Sequence, residues 1–150
     1  MNQKPHLATI IAIGAALSIF GNVVVASDHA KTCSNASLHG VYGAQASGTR
    51  PSSPGGPVEA MIGLVIRHYD GQGGVTQVNN IKGAISGYVP DQPGSGTYQV
   101  NEDCSVIVNF QPFPGVFIEE RLLIVDKGRE LFSITILPAA LMVTGVSIKM

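Results

Sequence analysis

Glu119, Glu120 and Arg121 lie together inside Val116–Val125, the most apolar strand-like run of the chain, where a carboxylate could move a proton. Alternation puts Glu120 on one face with Val116, Ile118, Leu122 and Ile124, and Glu119 and Arg121 on the other with Phe117, Leu123 and Val125. If the first face lines an interior, desolvation would raise the Glu120 pKa and fit it to acid or base work. The competing readings are a cross-strand ion pair on an outer surface, or an inward glutamate satisfied by a tyrosine or by Arg67. Glu120 and Glu119 are therefore the candidate catalytic residues, and Glu59 is a second candidate for a buried carboxylate. Arg67 and His68 end a strand-like run, and Tyr42, Tyr88 and Tyr98 sit in strand contexts where an inward phenol would suit an aromatic ligand. Ordinary rim or core packing is the plain alternative for each. Tyr42, Glu59, Arg67, His68, Tyr88 and Tyr98 are the candidate ligand-binding residues.

Other chemistry is hard to place. His29, His39 and His68 have no metal-ligand spacing, and the two cysteines form no C-x-x-C pair, so no metal is expected. Asp70-Gly71-Gln72-Gly73 lacks the later oxygens and closing glutamate of a calcium loop. Gly71-x-Gly73 does not complete a dinucleotide fingerprint, and no serine sits in a nucleophile elbow. No cofactor is expected. Asn35-Ala36-Ser37 matches a glycosylation sequon by composition alone.

The compartment is easier to read. Residues 1–26 carry Lys4, an apolar run from Leu7 to Phe20, and Val24-Val25-Ala26 at a peptidase-type site, the pattern of a cleaved signal-peptide helix. The apolar run is shorter than the roughly 20 residues of a spanning helix. The expected organisation is a signal peptide over 1–26, a tether over 27–37 and one domain over 38–150, in a secreted or periplasmic protein with no membrane-spanning helix. Charged residues make up 13% of the chain, against about 25% in an ordinary soluble domain. With no basic stripe, nucleic acid is excluded as a partner. Cys33 and Cys104 allow one intramolecular pairing, which an oxidising compartment would preserve; closing a loop of about 70 residues would contribute roughly 4 kcal/mol. The alternative is two free thiols.

From Leu38 onward the apolar period is two. Strands are expected at 38–47, 58–69, 75–80, 82–89, 96–100, 105–110, 116–125, 129–137 and 141–148. Asp70–Gly74, Pro90–Gly94 and Asp126–Gly128 are the expected turns, and Gly48–Pro57 is a proline- and glycine-rich loop. Pro112 and Pro114 interrupt the pattern. Eight or nine strands with short links predict an all-β fold, an antiparallel up-and-down barrel of about eight strands, with a β-sandwich as the alternative. Such a barrel is either filled by side chains or holds one small ligand. The runs 116–125 and 131–137 are apolar on both faces, which predicts a homo-oligomer.

Cys33-Ser34-Asn35-Ala36-Ser37-Leu38-His39-Gly40-Val41-Tyr42, Asp70-Gly71-Gln72-Gly73 and Gly96-Thr97-Tyr98-Gln99-Val100-Asn101-Glu102-Asp103-Cys104 stand in the order CSN-x-S/T-L-x-G-x-Y, DG-x-G, GTY-x-V-N-x-DC. In this the chain resembles a group of small exported bacterial proteins. The resemblance covers most of the chain that would remain after cleavage, residues 27–150, implies the same fold and disulfide, and implies no activity. The architecture is also similar to calycin-type barrels, including lipocalin-like and allene-oxide-cyclase-like ones, a likeness that does not fix function. Three functions fit: binding of a small apolar or aromatic molecule in the lumen, cofactor-free acid–base chemistry on a small organic substrate, or self-assembly through the outer strands.

Overall fold

The computed structural model describes residues 32–113 and 115–150, apart from the side chain of Phe113. The expected signal peptide, the tether as far as residue 31 and the break at Pro114 lie outside the described residues. Eight strands follow in order: β1 (His39–Pro51), β2 (Val58–Asp70), β3 (Gly74–Gly83), β4 (Gly87–Val100), β5 (Ser105–Phe113), β6 (Val116–Val125), β7 (Glu130–Leu137) and β8 (Met142–Lys149). Each pairs antiparallel with the next, and β8 returns to β1 through pairs such as Gln45 with Val146, so the sheet closes into a barrel. The sandwich alternative falls.

The period-two pattern has the physical cause expected of a barrel: successive side chains point alternately to lumen and exterior. In β2 the alternation is unbroken, with Glu59, Met61, Gly63, Val65, Arg67 and Tyr69 inward and Val58, Ile62, Leu64 and Ile66 outward. The inward set is the more polar of the two.

Three boundaries differ from expectation. β1 runs on through Gly48–Pro51, leaving only Ser52–Pro57 as the hairpin link. The run 82–89 is not one strand but the end of β3, a turn at Ala84–Ser86 and the start of β4. Pro90–Gly94 is not a turn but part of β4, whose register against β3 slips between Asn79 and Ile81. Pro90 and Asp91 fall in the unpaired gap of that slip, where a proline's missing N–H breaks no ladder bond.

One end of the barrel is solid. Leu38, Tyr42, Tyr69, Val106, Val108 and Leu131 are fully buried there, each aliphatic side chain contributing about 1.5–3 kcal/mol. The rings of Tyr42, Tyr69 and Tyr98 meet edge to face, with centroids 5.5 and 5.1 Å apart, the arrangement that aromatic quadrupoles favour. The Tyr42 hydroxyl donates to the Gly128 carbonyl at 2.6 Å, and the Tyr98 hydroxyl to the Leu38 carbonyl at 2.8 Å. Burial pushes all three phenols above their ordinary pKa, which keeps them donors.

A short 3₁₀ turn, Asn35–Ser37, lies over this end, and the Asn35 side chain accepts from the Val100 N–H at 2.8 Å. The Cys33–Cys104 disulfide packs against the same core. Such a bond persists in a non-reducing, extracytoplasmic setting. Asp70 builds the β2–β3 turn by accepting the N–H groups of Gln72, Gly73 and Gly74, with Gly71 at a positive φ of 81° that favours glycine. Among the described residues no helix is long and apolar enough to cross a membrane, which says nothing about strands.

Candidate functional site

The other half of the barrel is hollow. A cavity of about 550 Å³ opens between the hairpins at Ser52–Gly55, at Ser86, at Pro112 and Val116, and at Pro138 and Leu141. Ala44, Ala46 and Gly63 leave the room, and Met61, Val65, Ile81, Phe110, Ile118 and Val143 supply apolar wall. Gly94 is one reason the ring of Phe110 can lie inside, because a Cβ there would run into it.

The cavity's deep wall is polar and internally bonded. Arg67 lies across it, donating from Nη1 to Glu120 Oε2 at 2.7 Å, from Nη2 to Glu120 Oε1 at 3.3 Å and from Nε to Gln77 Oε1 at 2.6 Å. Its Nη1 also donates to the Tyr69 hydroxyl at 3.3 Å, at the boundary with the solid end. Gln77 Nε2 donates to Asn79 Oδ1 at 2.7 Å, and Asn79 Nδ2 to the Gln92 carbonyl at 3.2 Å. Burial works against the Arg67 charge, but Glu120 and then Tyr69 override it and raise its pKa, so the guanidinium stays protonated. Among the described residues no buried side-chain nitrogen or oxygen lacks a partner.

Near the mouth, the Glu59 side chain is fully enclosed and accepts from Ser86 Oγ at 2.6 Å, the Ile85 and Ser86 N–H groups at 2.7 and 2.8 Å, and Arg50 Nε at 3.0 Å. The Ser86 hydroxyl and amide are the main reasons its pKa falls to about 2. Glu59 ties the β3–β4 turn to β1 and β2; a Cβ on Gly83 would collide with its carboxylate.

The structure therefore brings Arg67 and Glu120 together in the lumen, while Glu59 does not line the cavity and is enclosed behind Arg50 and Ser86, which do. Glu119 is elsewhere, on the outer wall beside Arg121 at 3.5 Å, because its register position is one residue out of phase with Glu120. His68 alternates outward for the same reason, at the edge of a broad open depression over β2–β4. Tyr88 is exposed and donates to Asn80 Oδ1 at 2.7 Å, while Tyr42 and Tyr98 are spent in the solid end. None of these five lines the cavity.

Gln77 and Asn79 escaped the sequence reading because neutral amides carry no catalytic signature. Their one signal was phase: both share the inward face of β3 with Val75. Arg50 and Ser86, in what read as loop and strand, had none. No group of acidic, histidine or cysteine side chains among the described residues could hold a metal.

Chemically, the charged lining residues are all paired, Arg67 with Glu120 inside the lining and Arg50 with Glu59 behind it. Five guanidinium and two amide N–H groups per side chain leave Arg67, Gln77 and Asn79 each one donor beyond those used. No protein-family model, curated protein or solved structure matches the chain.

Proposed function

We propose that the protein is exported and holds one small, uncharged, largely apolar molecule in its lumen. A carbonyl or similar acceptor of that molecule would be set against Arg67, Gln77 and Asn79. The observation that carries the reading is the 550 Å³ hollow with apolar walls and a polar end, the usual design of a small-molecule site. Because each charged lining residue is already paired within the protein, an ionic ligand would find no free counter-charge. Export with loss of residues 1–26, to the periplasm or beyond, and kinship with the small exported bacterial proteins belong to the same proposal.

The test is a titration with a neutral solvatochromic dye, displaced by a ketone, the carboxylate of the same skeleton and the parent hydrocarbon. The ketone should displace best. Gly63→Leu, which meets only ordinary contacts at its Cβ, should weaken dye and ketone at least tenfold by filling the lumen. No binding to the parent protein, or binding indifferent to Gly63→Leu, would end the lumen reading; a better carboxylate would end the neutral-ligand reading alone.

A second reading is favoured by the partly open Glu120 carboxylate at the end of the cavity. There it could take a proton from a bound molecule while Arg67 steadies the charge that develops. Turnover of a lumen ligand that survives Glu120→Gln would remove it.

A further inference from the structure

The two ends of the barrel are built of different chemistry. At the filled end the hairpins carry Asp70, Glu102, Asp103, Asp126, Lys127 and Arg129, all exposed. At the open end the four links, residues 52–57, 84–86, 114–115 and 138–141, contain no acidic, basic or histidine residue. Each hairpin there instead holds a large apolar side chain in the open: Val58, Ile85, Phe117 and Met142 are 60–71% exposed. Apolar side chains are exposed on the barrel wall as well, so exposure alone does not mark the rim. The lack of charge does, together with the way the rim satisfies its own backbone.

Turn N–H groups at the two ends find acceptors by opposite means. At the filled end the exposed carboxylates of Asp70 and Asp103 accept them, charges that must stay in water. At the open end the Ile85 and Ser86 N–H groups go to Glu59, whose carboxylate is fully enclosed and neutralised by Arg50. The Ser52 N–H donates to the Pro57 carbonyl, Gly56 to that of Ser53 and Leu141 to that of Pro138, at 2.8–2.9 Å. Pro54, Pro57 and Pro138 have no N–H to satisfy, whereas residues 71–73, 101–104 and 126–129 of the filled end include no proline. Such a rim leaves few backbone donors stranded when it is taken out of water.

From this uncharged, self-bonded rim we infer that the open end seats on a neutral lipid surface, its four apolar tips reaching the boundary between headgroups and acyl chains. The wall behind the tips fits that depth. Tyr88 is exposed, stands opposite Lys82 in the ladder, and turns its hydroxyl to Asn80, two residues farther from the rim. An aromatic ring with its polar atom so placed, next to a long cationic side chain, belongs at headgroup level. Asp91 and the Glu119–Arg121 pair also lie on the wall, outside the four links. The cavity opens inside the ring of tips, so whatever covers the rim must let the lumen exchange its contents. A lipid surface does so, because a neutral apolar molecule passes between bilayer and lumen without crossing water. A second copy set mouth to mouth would seal the lumen. This choice of occupant rests on the lumen reading proposed above.

Flotation of the disulfide-bonded protein with phosphatidylcholine vesicles tests this. The protein should float equally well in about 0.1 and 1 M sodium chloride, since no surface charge takes part. Phe117→Glu and Met142→Glu should each lower vesicle partitioning at least tenfold. Ile66→Glu, similarly exposed but on the wall, should leave it unchanged. Circular dichroism and the thermal midpoint check that each variant is folded. Gly63→Leu should weaken dye binding in the lumen yet leave flotation intact, so the docking and the lumen reading can fail separately. No flotation by a protein that still binds dye, partitioning lost in high salt, or an equal loss with Ile66→Glu would overturn the inference. So would a pair in sedimentation velocity that Phe117→Glu splits while the vesicles stay bare.

Discussion

Removing one member of the Arg67–Glu120 pair is the sharpest probe of the lumen. Their side chains are 8% and 16% exposed, and both carboxylate oxygens accept from the guanidinium. At about 4 Å between charge centres and an effective dielectric constant near 20, the attraction is worth about 4 kcal/mol. Arg67→Met deletes that attraction and also strips a donor from Gln77 and from Tyr69, each about 1 kcal/mol. Water entering the cavity can resolvate part of the stranded Glu120 carboxylate, which offsets some of the loss. The expected cost is about 4 kcal/mol, within the range for breaking a buried pair, or roughly 15 °C in Tm for a domain of this size.

Glu120→Leu should cost a similar amount by stranding Arg67. The double variant Arg67→Met/Glu120→Leu strands no charge, and its loss should be smaller than either single loss. Urea unfolding followed by far-UV circular dichroism measures all four proteins in one thermodynamic cycle. Additive single losses, or an Arg67→Met cost below about 1 kcal/mol, would refute the claim that the two charges depend on each other.

Two further outcomes follow from the ends of the barrel. The Glu59 carboxyl falls from its ordinary 4.5 to about 2, so its contribution is complete above pH 4.5 and drains away as the pH falls toward 2. Glu59→Gln should flatten that acid limb in a series of urea midpoints, and an unchanged limb would contradict the assignment. Cys33 and Cys104 close a separation of 71 residues, so the double serine variant should lose about 4 kcal/mol in chemical denaturation. Dye binding in the lumen should stay intact, because the bond sits against the opposite end; lost binding at full folding would argue otherwise.

Legibility in the sequence varied from element to element. β2 could be read almost to the residue because its alternation is uninterrupted and its turn, Asp70-Gly71, uses local chemistry. β4 could not. Its prolines and Asp91 look like a turn, and only a bulge in β4, with Pro90 and Asp91 opposite Asn80 of β3, makes room for them. Phase placed Glu120 opposite Glu119, and Arg67 was among the partners considered for it. Which face turns inward was not readable, since Ile62, Leu64 and Ile66 look more like a core than Met61, Gly63 and Val65 do. Closure of the sheet settles it, and closure is a property of all eight strands at once. The contribution of Tyr42 and Tyr98 was equally hidden: their hydroxyls bond carbonyls 86 and 60 residues away.

The tyrosine-filled end also shapes how fast a bound molecule could exchange. Among the described residues the hollow has its mouth at one end, so arrival and departure share a doorway. Any change to the hairpins there that only raises or lowers the barrier must scale the on-rate and off-rate by one factor. Such a change alters residence time with equilibrium occupancy untouched, and leaves affinity to be set by the side chains deeper in.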